Sequence, residues 1–265
     1  AMMAKNGIKK IVAAWPGETD FRPRVESAPV INHIPLHASG CNIRRANNMQ
    51  NRTDGINEFI KKEPDNLYVV KSHILMAETY ETLKKREQVL SELSATGELC
   101  TVGSDWRVNQ TPEIIFELCQ TEFKRASLDL AKRWWEIWQK NKTHKEFSGL
   151  TETILKLIVK NEDVSVPDLK TRTILAELQF QTEKYNDAAE NYYYVATRST
   201  DKKEAHDTLY ASLYSVEKSL EIKNTDSKKS ERKAKAIEYF TRFPEGEHFY
   251  PVGLKVAVAQ KKKKN

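Results

Sequence analysis

Leu175 and Ala176 are followed, ten, thirteen and seventeen residues after the leucine, by Tyr185, Ala188 and Tyr192. On a helix the last three share one face, so an alanine lies between two rings and marks a place where a neighbour comes close. The same offsets from Leu118 and Cys119 reach Leu128, Ala131 and Trp135, and from Met76 and Ala77 they reach Arg86, Val89 and Leu93, with Tyr80 nearby. A weaker copy starts at Tyr210, Ala211 and Tyr214 and resumes, after an insertion around residues 222–230, at Ala236, Ile237 and Phe240. A motif that recurs in one chain predicts repeated supersecondary units that cover one another's apolar faces.

The units are expected to be helical. Nine glycines and nine prolines are few for 265 residues, and no apolar/polar alternation runs between about residue 65 and residue 243. Helices are predicted over 67–84, 86–96, 112–124, 126–140, 145–160, 168–183, 186–198, 203–223 and 229–242, with breaks at Thr96-Gly97, Thr111-Pro112, Pro167-Asp168 and Ser199-Thr200-Asp201. Pro112 and Pro167 suit a first helical turn, where a missing N–H costs nothing.

The recurring set resembles the tetratricopeptide repeat, a helix–turn–helix unit with a leucine and a small residue in its first helix, an aromatic at the turn, and an alanine and an aromatic in its second. Leu175, Ala176, Tyr185, Ala188 and Tyr192 match closely; Leu118, Cys119, Leu128, Ala131 and Trp135 match in type; in the Met76 copy, Arg86 replaces the turn aromatic and Val89 the alanine. The anchors Met76, Leu118 and Leu175 stand 42 and then 57 residues apart, so the repeats are irregular, and 145–160 reads as an unpaired helix between them. The resemblance, over about 67–243, implies an all-α fold of tandem antiparallel helix pairs stacked as a short α-solenoid. An ordinary helical bundle accommodates the same amphipathic stretches. Trp134, Trp135 and Trp138 resemble the aromatic-rich pairs of half-a-tetratricopeptide repeats in RNA-processing factors.

The chain reads as three parts: an irregular, proline-containing N-terminal arm over 1–52, the helical body over 53–260 and a basic tail over 261–265. Pro16, Pro23, Pro29 and Pro35 forbid a long helix in the arm, yet Trp15, Phe21 and Val30 to Leu36 are apolar enough to pack on the body, as a cover at its end or in its groove. Cys41, Cys100 and Cys119 are too few and too scattered for a disulfide framework, which favours a reducing, cytoplasmic setting. Ala38 to Cys41 has the form of a lipoprotein cleavage site, but the histidines, asparagine and proline before it replace the apolar core such a signal needs, so it reads as a chance match. No window approaches a membrane span.

Chemistry-bearing motifs are absent from the sequence. It holds no glycine-rich phosphate loop and no nucleophile elbow, and Pro35 interrupts the His33, His37, Cys41 spacing that a helical metal site would need. The expectation is a non-enzymatic scaffold or adaptor with no cofactor and no metal. In the resembled family, first helices line a concave groove. By register, this implies contacts from Lys71, Ile74, Glu78 and Glu81; from Glu113, Phe116, Glu117, Gln120, Phe123 and Lys124; and from Lys170, Thr173, Glu177, Phe180 and Gln181. Five glutamates against three lysines disfavour capture of a peptide carboxylate and favour an apolar or mildly basic partner segment, with Phe123 and Phe180 as anchors. The alternative partner is nucleic acid, held by Lys228, Lys229, Arg232, Lys233, Lys235 and the lysines at 261–264, on a chain of net charge +6. Self-association through exposed end faces is a third possibility.

Overall fold

The computed structural model describes residues 49–162, 167–249 and 252–253, with side chains from Thr53 onward. The arm up to residue 48, including His33, His37 and Cys41, lies outside the described residues, as does the lysine run. The described residues are helical, without strands, and fall into two compact units divided between Glu162 and Asp163.

In the first unit, α1 (Met49–Lys62) precedes the antiparallel pair α2 (Tyr68–Thr82) and α3 (Arg86–Cys100). Val70, Met76, Val89 and Leu93 are all buried in its core. The turn α4 (Asp105–Val108) follows, its first turn capped by the Ser104 hydroxyl, which accepts from the Arg107 N–H. Then a single helical rod runs through α5 (Pro112–Ile115), a π segment (Phe116–Phe123) and α6 (Lys124–Lys140), and α7 (Lys145–Lys160) turns back along α6.

This rod corrects two expectations. The separate helices at 112–124 and 126–140 are continuous, because Lys124-Arg125-Ala126-Ser127 holds no residue that breaks a helix; the chain changes pitch there instead of turning. Leu118 and Cys119 therefore do not form a hairpin with Leu128, Ala131 and Trp135, and the helix at 145–160 is paired after all, with α6. The pair closes where Trp134, fully buried, meets the edge of the Phe147 ring at 6.3 Å.

Gly97 is a third correction, since the helix continues through it to Cys100. A Cβ there would lie 2.9 Å from the Asn161 amide nitrogen at the end of α7, so the glycine serves close approach between helices and not a turn. The cysteines are the fourth. Cys100, closing α3, is disulfide-bonded to Cys119 in the π segment, and both are buried. Their separation of 19 residues hid a pairing that folding α4 back on α3 creates.

In the second unit, α8 (Leu169–Gln181), α9 (Tyr185–Arg198), α10 (Lys202–Ile222) and α11 (Asp226–Arg242) pack each on the next. Asp168, Asp201 and Thr225 cap α8, α10 and α11 with side-chain oxygens that accept first-turn N–H groups. Ala176, Ala188 and Ala211, on three successive helices, join one buried cluster with Tyr192.

One turn occurs twice. After α2, Lys84 has φ of 59°, its N–H donates to the Glu81 carbonyl, and the Lys85 N–H donates to the Tyr80 carbonyl. After α8, Glu183 has φ of 63°, its N–H donates to the Phe180 carbonyl, and the Lys184 N–H donates to the Gln179 carbonyl. These positions correspond in the register that aligns Met76 with Leu175, so the α2–α3 and α8–α9 pairs are equivalent hairpins closed by a left-handed helix cap.

A left-handed backbone costs a side-chain-bearing residue roughly 1–2 kcal/mol, against about 0.5–1 kcal/mol of extra chain entropy for glycine. Lys84→Gly and Glu183→Gly are therefore each expected to raise the unfolding free energy by about 0.5–1 kcal/mol in urea titrations. Reducing the disulfide is expected to cost the first unit about 2–4 kcal/mol, read as a lower midpoint in the same titration.

Candidate functional site

Ten of the residues assigned by register lie in the first unit. Lys71 is ion-paired with Glu122 at 3.2 Å, and Gln120 donates to the Asn161 carbonyl at 3.4 Å, so both tie elements together. Glu117 is exposed and Lys124 half-buried. Glu78 and Glu81 face Arg125 and Arg133 across a cleft between α2 and α6, and Glu81 also accepts from the Trp134 indole at 3.0 Å. Phe123 is 1% exposed, so its ring belongs to the core and offers no anchor. The π segment turns Phe123 inward and leaves Phe116 outside.

The other five lie in the second unit. Glu177 is 6% exposed and accepts from the Tyr192 hydroxyl at 2.7 Å, which fastens α8 to α9, and from Gln181, one turn along α8, at 2.8 Å. Burial, reinforced by Glu177, holds the Tyr192 phenol well above its ordinary value, and it stays a donor at any physiological pH. Phe180 differs: it is half-buried.

Phe180 belongs to a continuous aromatic strip that the register alone did not reveal. Its ring lies 5.1 Å from Tyr185, at the start of α9, and 5.7 Å from Tyr214 on α10. Tyr214 is followed by Tyr210 at 6.5 Å, one turn earlier on α10, and Tyr210 by the stacked imidazole of His248 at 3.6 Å. Four residues separate Tyr210 from Tyr214, a spacing that places both on one helix face and was the legible signal. All five rings are half-buried.

The surroundings of the strip are acidic. Burial first, then Glu183 and Glu221, hold the Tyr185 phenol above its ordinary value, with Lys218 opposing them. Burial, then Glu217 and with it Glu247, do the same for Tyr210. Lys218, the cation of this group, is engaged by Glu221 at 2.8 Å. Elsewhere in the unit, the arginines Arg172 and Arg198 each lie 3.7 Å from the ring centre of Tyr194, the arrangement that a tyrosine face offers a guanidinium.

The basic residues of α11 are largely engaged. Lys228 donates to the Ser219 hydroxyl, Lys229 pairs with Asp226 at 2.9 Å, and Lys235 is buried over the Tyr193 ring beside Glu231. Among the described residues, no three histidine, cysteine, aspartate or glutamate side chains converge as metal ligands, and no helix is long and apolar enough to cross a membrane.

Tyr192→Phe is expected to destabilise the second unit by about 1–3 kcal/mol, because it leaves a buried carboxylate short of a donor. Thermal unfolding of the variant beside the parent checks this. Comparison with models of protein families, with curated proteins and with solved structures gives no match to the chain.

Proposed function

We propose that the protein is a non-enzymatic interaction module of the tetratricopeptide type, and that the aromatic strip takes an extended, cationic segment of a partner protein. The observation that carries this reading is the row of half-buried rings set among glutamates. Phe180, Tyr210 and Tyr214 come from the first helices of their pairs, the helices that line the groove in the resembled family.

Spacing and charge define the occupant. Neighbouring rings from Phe180 to Tyr210 stand 5.7 and 6.5 Å apart. Alternate side chains of an extended strand stand about 6.6 Å apart on one face, so every second residue can meet a ring. A guanidinium suits such a ring, and each contact is worth about 0.5–2 kcal/mol depending on how far it is desolvated. Glu183, Glu217, Glu221 and Glu247 supply the complementary charge and disfavour an anionic strand. The nucleic-acid reading finds less support, since Lys228, Lys229 and Lys235 have partners of their own. Glu78 and Glu81, in their own cleft, remain secondary candidates for partner contact.

Fluorescence anisotropy with a labelled peptide alternating arginine and valine tests the proposal. The parent protein is expected to bind it, the glutamate-for-arginine counterpart is expected not to bind, and Tyr214→Ala and Glu221→Lys are each expected to weaken binding about tenfold, equivalent to about 1.4 kcal/mol. Equal binding by both variants, or preference for a single-stranded oligonucleotide, overturns the assignment.

A further inference from the structure

The chain leaving α11 doubles back on the unit it came from. Phe249 meets the Phe240 ring edge-on at 4.7 Å, and the His248 ring lies between Tyr210, at 3.6 Å, and His206, at 5.9 Å and within 8° of parallel. Behind these rings runs a hydrogen-bonded chain. Asp207 Oδ1 lies 2.7 Å from His206 Nδ1, an arrangement that puts the imidazole proton on Nδ1. His206 Nε2 then accepts from the Tyr239 hydroxyl at 2.6 Å, and the Tyr239 oxygen accepts the backbone N–H of His248 at 3.3 Å. Gly246 allows this approach: a Cβ there would fall 2.6 Å from the Tyr239 oxygen and 2.7 Å from His206 Nε2. Tyr239 is completely buried, and burial pushes its phenol up to about 12, so it remains a donor across the physiological range.

We propose that His248 is a proton-operated latch. Its neutral ring seats residues 244–249 on α10 and α11 between the buried anchors Phe243 and Val252, and its protonation lifts His248 and its neighbours between those anchors and uncovers the Tyr210 end of the aromatic strip. The last step rests on the function proposed above; the latch itself does not.

The groups facing His248 are His206, Asp207 and Tyr210 on α10, Tyr239 on α11 and Glu247 beside it in the chain. The Tyr210 face and the two carboxylates favour an imidazolium, whereas lost hydration and the second imidazole oppose it. Burial is the largest of these influences and leaves His248 below its ordinary value. The seated segment therefore binds fewer protons than the freed one. Seating is at full strength above the ordinary histidine value of about 6.5 and weakens as the pH falls below it, by up to tenfold per pH unit for one proton, until the seated value is passed.

Amide hydrogen exchange on the full chain at pH 7.5 and 5.5, expressed as protection factors so that the intrinsic pH dependence cancels, reads the latch at His248 and Phe249. Protection is expected to fall several-fold at the lower pH in the parent and to hold in His248→Phe, which keeps a flat ring but takes no proton. Unchanged protection in the parent, or an equal fall in His248→Phe, overturns the proposal. An NMR titration of the parent's His248 ring needs no variant: a midpoint below about 6.5 supports the latch, and one at or above it refutes it. Anisotropy with the arginine–valine peptide at both pH values separates the two claims. A working latch with no peptide binding at either pH sinks only the strip assignment, whereas tighter binding at pH 5.5 in the parent but not in His248→Phe is the result both predict.

Discussion

The contact between Ala188 and its neighbours governs the second unit. Ala176 and Ala188 are wholly inaccessible, and Ala211 on the third helix is nearly so. Packed helices lie about 8–10 Å apart depending on the side chains at the contact, and the short end of that range needs small ones. On the other flank of α9, the Ser212 hydroxyl donates to the Ala189 carbonyl at 2.7 Å, a buried bond that a larger residue at the crossing would push out of reach. Two adjacent alanines thus let one helix pack closely on two others. The rings at Tyr185 and Tyr192 then take opposite roles: Tyr192 is buried against Glu177, whereas Tyr185 is pushed to the rim, where the aromatic strip begins.

The proposed binding surface follows from that packing by displacement. Bulky residues that the close crossing excludes collect along its edge, and there they form a surface of rings held at regular spacing by rigid helices. A binding surface built on helices is better preorganised than one built on loops, so less ordering is required when a partner arrives. The return segment after α11 touches the same strip through His248. The proposed interaction surface and the device that covers it therefore share one ring contact.

Small residues and aromatics at helical spacing are what a closely packed helix pair requires, and so much of the fold was legible in the sequence. The hairpin around Tyr185 and Ala188, its equivalent around Met76 and the pair formed by α10 and α11 all follow the repeat register. The rod from Pro112 to Lys140 does not, since Leu118 and Leu128 satisfy the offsets by type while the intervening Lys124 to Ser127 lacks any turn residue. The break that matters lies at Asn141 to His144, where the chain turns and pairs α6 with α7. The bond between Cys100 and Cys119 depends on the fold-back at α4, too short a helix to be read from periodicity. Of the candidate site, Phe180 is half-buried whereas Phe123 and Glu177 are buried, because register specifies a face and not the depth at which a side chain ends. The latch was invisible, since it joins His206, Tyr239 and His248 through a segment without helical pattern.

Chemical denaturation of Ala188→Leu beside Ala234→Leu tests the claim that small residues at the crossing set the architecture. Alanine and leucine differ little in helix propensity, so the pair isolates packing. Ala234 is exposed on α11, and its replacement should change stability by no more than about 0.5 kcal/mol. Ala188→Leu should cost about 1–3 kcal/mol or more, with the loss confined to the second unit's transition. Equal and small effects at both positions would contradict the account, for they would mean that the helices do not depend on a close approach at Ala188.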